Sequence, residues 1–155
     1  GVTAGLFLPR EHQVTRVLHL KAAPEVVWGL IGDPAKDPTW RPELEACVRR
    51  PDRGGRPVWE DRFRNGQRIA YLTEAAEPPV RLVRTIVDQE RFGGTWTYAL
   101  QAEGTGTRLR ITETGWVGVP FRLLAKAVIG HATTLELYQR ALARHLGEAA
   151  EPQAE

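Results

Sequence analysis

Residues Pro120–Gly147, PFRLLAKAVIGHATTLELYQRALARHLG, decide how the rest of the chain is read. Leu124, Val128, His131, Leu135, Tyr138 and Leu142 recur at spacings of 4, 3, 4, 3 and 4, which puts them on one face of an α-helix. At ~3.6 residues per turn the stripe covers about five turns. Pro120 suits a first helical turn, where its missing N–H is no loss. Gly147 suits the position just past the end, where a left-handed residue closes the last turn. The stretch is expected to form one long amphipathic helix whose apolar face must be covered.

The cover lies upstream. From Leu44 to Trp116 the apolar period falls from 3.6 to 2, the period of strands. Leu44–Val48, Val58–Phe63, Arg68–Glu74, Val80–Val87, Thr95–Leu100 and Arg108–Trp116 read as six strands. Turn signals separate them: Gly54-Gly55, Asn65-Gly66, Pro78-Pro79, Gly93-Gly94 and Gly104. Thr15–Leu20 alternates as a further strand ahead of this meander. Pro24–Ile31 then reads as a short helix, with Pro24 and Glu25 in its first turn and Val27, Leu30 and Ile31 on one stripe. Pro34 ends it, and a second short helical turn fits before Pro42. The fold class is α+β: a seven-stranded bent antiparallel sheet wrapped round a long C-terminal helix, with two short helices after the first strand. Residues 1–12 read as an N-terminal tail, 13–148 as the domain and 149–155 as a disordered C-terminal tail.

A chain of 155 residues has room for one core of this kind. No apolar run approaches the ~20 residues of a membrane-spanning helix, and the first residues lack the pattern of a signal peptide. One cysteine, Cys47, excludes an internal disulfide and points to a reducing cytoplasm. The formal net charge is +2, and the arginines alternate with acids, as in Glu60-Asp61-Arg62-Phe63-Arg64. Read as a mixed solvated face, that gives no nucleic-acid footprint. Phosphate-loop, dinucleotide and zinc-protease patterns are absent. His12, His19, His131 and His145 have no close ligand spacing, so no metal and no cofactor is expected.

Ala23-Pro24-Glu25-Val26-Val27-Trp28, then Asp33, Trp40-Arg41-Pro42 and Gly106–Glu113, followed by the closing helix, resemble the START/SRPBCC superfamily. Within it the chain looks most like the bacterial polyketide cyclase/dehydrase and lipid-transport group. The resemblance implies a helix-grip fold with a cavity between sheet and helix, in a scaffold shared by lipid carriers, cyclases and co-chaperone-like modules. Such a scaffold does not choose among functions.

Two residues break their patterns. His131 sits in the apolar helical stripe, either as a hydrogen-bonded core histidine or as a polar group in a cavity. Glu113 shares strand parity with Leu109 and Ile111. It either faces inward or, as an end-of-strand acid, reaches solvent or an arginine. If both face in, His131 and Glu113 form a candidate catalytic acid/base pair. The candidate ligand-binding set is Trp40, at a cavity rim, with Trp59, Tyr71, Trp96, Tyr98, Val128, His131, Leu135 and Tyr138; core packing is the alternative use of the aromatics. Arg62 and Arg84 can meet a ligand carboxylate, although an exposed position is the expected state of each. The leading expectation is a protein that binds a small hydrophobic ligand, lipid, quinone or polyketide-like, without contact with the membrane interior. A cyclase/dehydrase-type enzyme is the alternative, and a co-chaperone-like interaction module a further one.

Overall fold

Chain order sets the architecture. The computed structural model describes residues 10–118 and 124–155, and the side chains of 11–118 and 133–155. β1 (Arg10–Leu20) leads into α1 (Pro24–Ile31) and a 3-10 helix (Pro34–Thr39). There follow β2 (Leu44–Arg53), β3 (Arg56–Phe63), β4 (Arg68–Glu77), β5 (Arg81–Val87), β6 (Phe92–Glu103) and β7 (Gly106–Val117). The long helix α2 (Leu124–His145) and a two-residue strand, β8 (Gln153–Ala154), complete the chain. The antiparallel sheet runs β2-β3-β4-β5-β6-β7-β1-β8, so the first strand closes onto the last strand of the meander.

Three details differ from the sequence reading. First, β1 starts at Arg10, within the expected N-terminal tail, and pairs continuously with β7 from Arg10↔Val117 to Leu20↔Thr107. Second, Gly93-Gly94 is no turn. Both glycines lie inside β6, opposite Trp116 and Gly115. A Cβ on Gly93 would fall 2.5 Å from the Trp116 indole nitrogen, so the glycine marks where an aromatic lies across the strand.

Third, the C-terminal segment read as a disordered tail is tied down. Gln153 and Ala154 pair with Val17 and Arg16, giving an eighth strand. Lys21 N and Ala22 N donate to the Glu148 carboxylate at 2.6 and 3.1 Å. Arg110 donates to Glu155 at 2.7 Å, and Arg140 to Glu151 at 2.8 Å. Of the acids that gave this segment a disordered composition, Glu151 and Glu155 are partners of arginines on α2 and β7, and Glu148 caps backbone N–H groups after β1.

The end of α2 follows the sequence. Gly147 has φ +71°; its N–H donates to Arg144 O at 3.0 Å, and Glu148 N to Ala143 O at 2.9 Å. These two bonds form the Schellman closure that needs a residue in the left-handed region. Leu135, Tyr138 and Leu142 on this helix join Leu18, Leu109 and Ile111 of the sheet in the core, with Val27 and Ile31 of α1 beside them. Leu124, Val128 and His131 belong to the helix, but their side chains lie outside the described residues.

Candidate functional site

The concave side of the sheet holds a cavity of about 470 Å³. Period-2 alternation supplies its walls: Asp61 and Phe63 from β3, Ile69 and Tyr71 from β4, Arg84 and Ile86 from β5. Phe92, Trp96 and Tyr98 come from β6, Glu113 and Val117 from β7, and Tyr138 with Thr134 from α2. Much of the lining is apolar, and the charged groups Arg41, Asp61, Arg84 and Glu113 are few. That combination suits an apolar molecule oriented by a small number of polar contacts.

A buried ion network stands on one wall. Arg41 Nη1 donates to Asp37 Oδ2 at 3.1 Å and to Asp61 Oδ2 at 3.0 Å, while its Nε donates to Glu43 Oε1 at 3.1 Å. The 3-10 helix places Asp37 one turn before Arg41, and β3 brings Asp61 across from the other side. Burial raises the Asp37 carboxyl to about 6, against the pull of Arg41 and Arg84. Burial also opposes the Arg41 charge, but Asp61 and Asp37 outweigh it and hold the guanidinium protonated. The Cys47 thiol donates to Asp61 Oδ1 at 3.3 Å and lies 3.6 Å from the Tyr71 hydroxyl. Burial, reinforced by the Asp61 charge, pushes this thiol up to about 12. Cys47 is therefore a hydrogen-bond donor at neutral pH and no nucleophile.

The aromatics form one connected group. Tyr138 meets Trp40, Trp96 and Tyr98 edge to face, at 4.9, 5.5 and 5.7 Å between ring centres. The Arg41 guanidinium lies 5.1 Å from the Tyr138 ring. Burial holds the Tyr71 and Tyr138 phenols well above their usual range, so both keep their protons.

Of the residues anticipated from sequence, Tyr71, Trp96, Tyr98, Tyr138 and Glu113 meet around this cavity. Glu113 is 2% exposed, because the β1–β7 register has no bulge near Gly115 to turn it outward. His12 Nε2 approaches its Oε1 at 3.5 Å. Trp40 is not at a rim: it is 5% exposed and packs behind Tyr138. Leu135 is wholly buried in the core, away from the cavity. Trp59 keeps the inward parity of Asp61 but lies further along β3, where Arg49 covers its ring at 5.5 Å. The His131 and Val128 side chains lie outside the described residues.

Two assignments are corrected. Arg84 is buried at 7% exposure, not exposed, and donates through Nη2 to Ile31 O at 2.8 Å. Asp61, read as part of a solvated face, is 6% exposed. Its parity with Trp59 and Phe63 carried the signal, but the flanking charges Glu60 and Arg62, which pair with each other on the outer face, concealed it. Arg41 and Asp37 had no such signal, since both lie in irregular segments where parity says nothing. Among the described residues no three side chains are placed to hold a metal ion.

Residues 11–151 match the model of the family described as polyketide cyclase / dehydrase and lipid transport. The chain belongs to that family. Solved structures agree on the fold of this family member. A START superfamily protein from Mycobacterium smegmatis is 21% identical with a TM-score of 0.69, over 86% of this chain and 96% of that one. A protein from Thermus thermophilus is 23% identical with a TM-score of 0.66, over 86% and 95%. The di-domain ARO/CYC StfQ of the steffimycin biosynthetic pathway is 13% identical with a TM-score of 0.64, over 90% of this chain and 52% of that one. No curated protein matches the sequence. No helix among the described residues is long and apolar enough to cross a membrane.

Proposed function

We propose that this family member binds one small hydrophobic molecule between the sheet and the C-terminal helix. The observation that carries the reading is the cavity itself: about 470 Å³ of space walled by Phe63, Ile69, Ile86, Phe92, Trp96 and Val117. Leaving such a space empty forfeits the contacts a packed core would make. An apolar guest restores them and leaves water at the same time. Lipid, quinone and polyketide-like molecules all fit this description, and the family description names both lipid transport and cyclase/dehydrase chemistry.

The test is titration with the neutral fluorophore 1-aminoanthracene, alongside Ile86→Trp, which fills the space. Saturable one-to-one binding that the substitution weakens at least tenfold is the expected result. Absence of saturable binding, or binding indifferent to Ile86→Trp, would overturn the reading.

A second reading, enzymatic, is favoured by Glu113, a carboxylate on the cavity wall with His12 at 3.5 Å. A carboxyl group and an imidazole at one wall can move a proton to or from a bound carbonyl compound. On that reading Glu113→Gln abolishes turnover of a reactive polyketide while fluorophore binding persists. Unchanged turnover would remove Glu113 from the chemistry.

A further inference from the structure

The two arginines on the cavity wall are not equivalent. Arg41 spends its N–H groups on three carboxylates, Asp37, Asp61 and Glu43. Arg84 forms no ion pair among the described residues; its one hydrogen bond goes to a backbone carbonyl, that of Ile31. Its Nε is buried and has no hydrogen-bond partner. The Tyr71 and Tyr98 rings lie 5.2 and 5.5 Å from its Cζ, which attracts the cation but gives the N–H no oxygen to bond.

No carboxylate forms an ion pair with Arg84 among the described residues, although Asp37 is near enough for the two charges to attract. Asp61 accepts from Arg41 and from Cys47, and Glu113 lies against His12. Arg84 is therefore the one cavity-lining arginine without a carboxylate contact among the described residues. A buried guanidinium with an unused in-plane N–H is a poor arrangement for an empty core and a good one for receiving a planar oxyanion.

We propose that the ligand is an apolar carboxylic acid, its carboxylate seated on Arg84 and its hydrocarbon body lying along Ile69, Ile86, Phe92 and Trp96. The proposal rests on the binding reading above and adds the chemical class of the guest. The chain fixes the acid end and leaves the body, aliphatic or aromatic, to the shape of the apolar walls.

Two matched pairs test it on the full chain: dodecanoic acid with dodecan-1-ol, and 2-naphthoic acid with 2-naphthylmethanol. Each competes against bound 1-aminoanthracene at pH 7.5, with calorimetry as a second readout. In at least one pair the acid should bind tenfold or more tighter than its alcohol. Arg84→Gln should abolish that preference while keeping alcohol binding, and Arg84→Lys should restore part of it. Circular dichroism and thermal melting check that each variant is folded. Should Arg84→Gln fail to fold, the acid-to-alcohol ratio in the unmodified protein and in Arg84→Lys decides. Equal binding of acid and alcohol overturns the carboxylate assignment and leaves the cavity reading standing, as does a preference that survives Arg84→Gln. Failure of all four probes, and of the fluorophore, overturns both.

Discussion

The interior beneath β1 and β7 and the interior beneath β3, β4 and β5 are built from the same alternation and end differently. In the first, the described part of α2 lies on the strands. Leu18, Leu109, Ile111, Leu135 and Leu142 there are completely buried. In the second, Phe63, Ile69 and Ile86 point inward yet remain half-buried, because the space in front of them is cavity. Inward parity places a side chain on the concave face; it does not supply a partner. The described part of α2 packs on β1 and β7, and the space in front of β3, β4 and β5 stays open as the cavity.

The charged network at the boundary gives the largest expected effect. Arg41→Leu leaves Asp37 and Asp61 buried without their ion-pair partner, and unfolding in urea should register a loss of about 3–5 kcal/mol. Adding Asp37→Asn and Asp61→Asn should recover much of it. A single variant as stable as the parent would mean the network contributes nothing to holding the boundary.

The filled and hollow halves are compared directly by truncation. Leu109→Ala should cost about 3 kcal/mol, since it opens a cavity in a closed core. Ile69→Ala should cost about 1 kcal/mol or less, since the removed atoms already face empty space. Equal costs in the same urea series would erase the distinction.

Asp37 sharpens the comparison through pH. Its folded-state carboxyl titrates near 6, above the ordinary 3.8. The folded chain therefore takes up this proton more readily than the unfolded one. The resulting stability is fully present below the ordinary value and is lost as the pH rises through about 6. Relative to Asp37→Asn, the parent should lose up to about 3 kcal/mol between pH 4 and pH 7. Parallel pH profiles for the two proteins would show that Asp37 does not titrate in this window.

A modest effect is expected of the strap on the filled side. Deleting residues 148–155 removes the Glu148 bonds to Lys21 and Ala22 and the β8 pairing with β1. A loss of about 1–2 kcal/mol is expected, with fluorophore binding unchanged because none of these residues lines the cavity. Weakened binding would tie the two halves together more closely than the geometry implies.

The sequence by itself determined the order of elements from β1 to α2, because hydrophobic period and turn chemistry are local. The Pro120–Gly147 stripe, the Asn65-Gly66 hairpin and the Pro24 helix start could all be read without tertiary contacts. Strand parity also put Glu113 on the face of Leu109 and Ile111, and Trp96 and Tyr98 on the face of Leu100. Tertiary structure decided what a local pattern cannot carry. Gly93-Gly94 is a turn signal by composition and a strand by virtue of Trp116 across the sheet. Glu151 and Glu155 look solvated until α2 and β7 supply their arginines. Arg41 and Asp37 sit in irregular backbone with no period to orient them, and only closure of the sheet brings Asp61 to them. The facing of Arg84 was ambiguous from sequence, since an arginine on a strand turns inward only where something answers its charge. Here two tyrosine rings and the Ile31 carbonyl, 53 positions away in the chain, supply that answer in part.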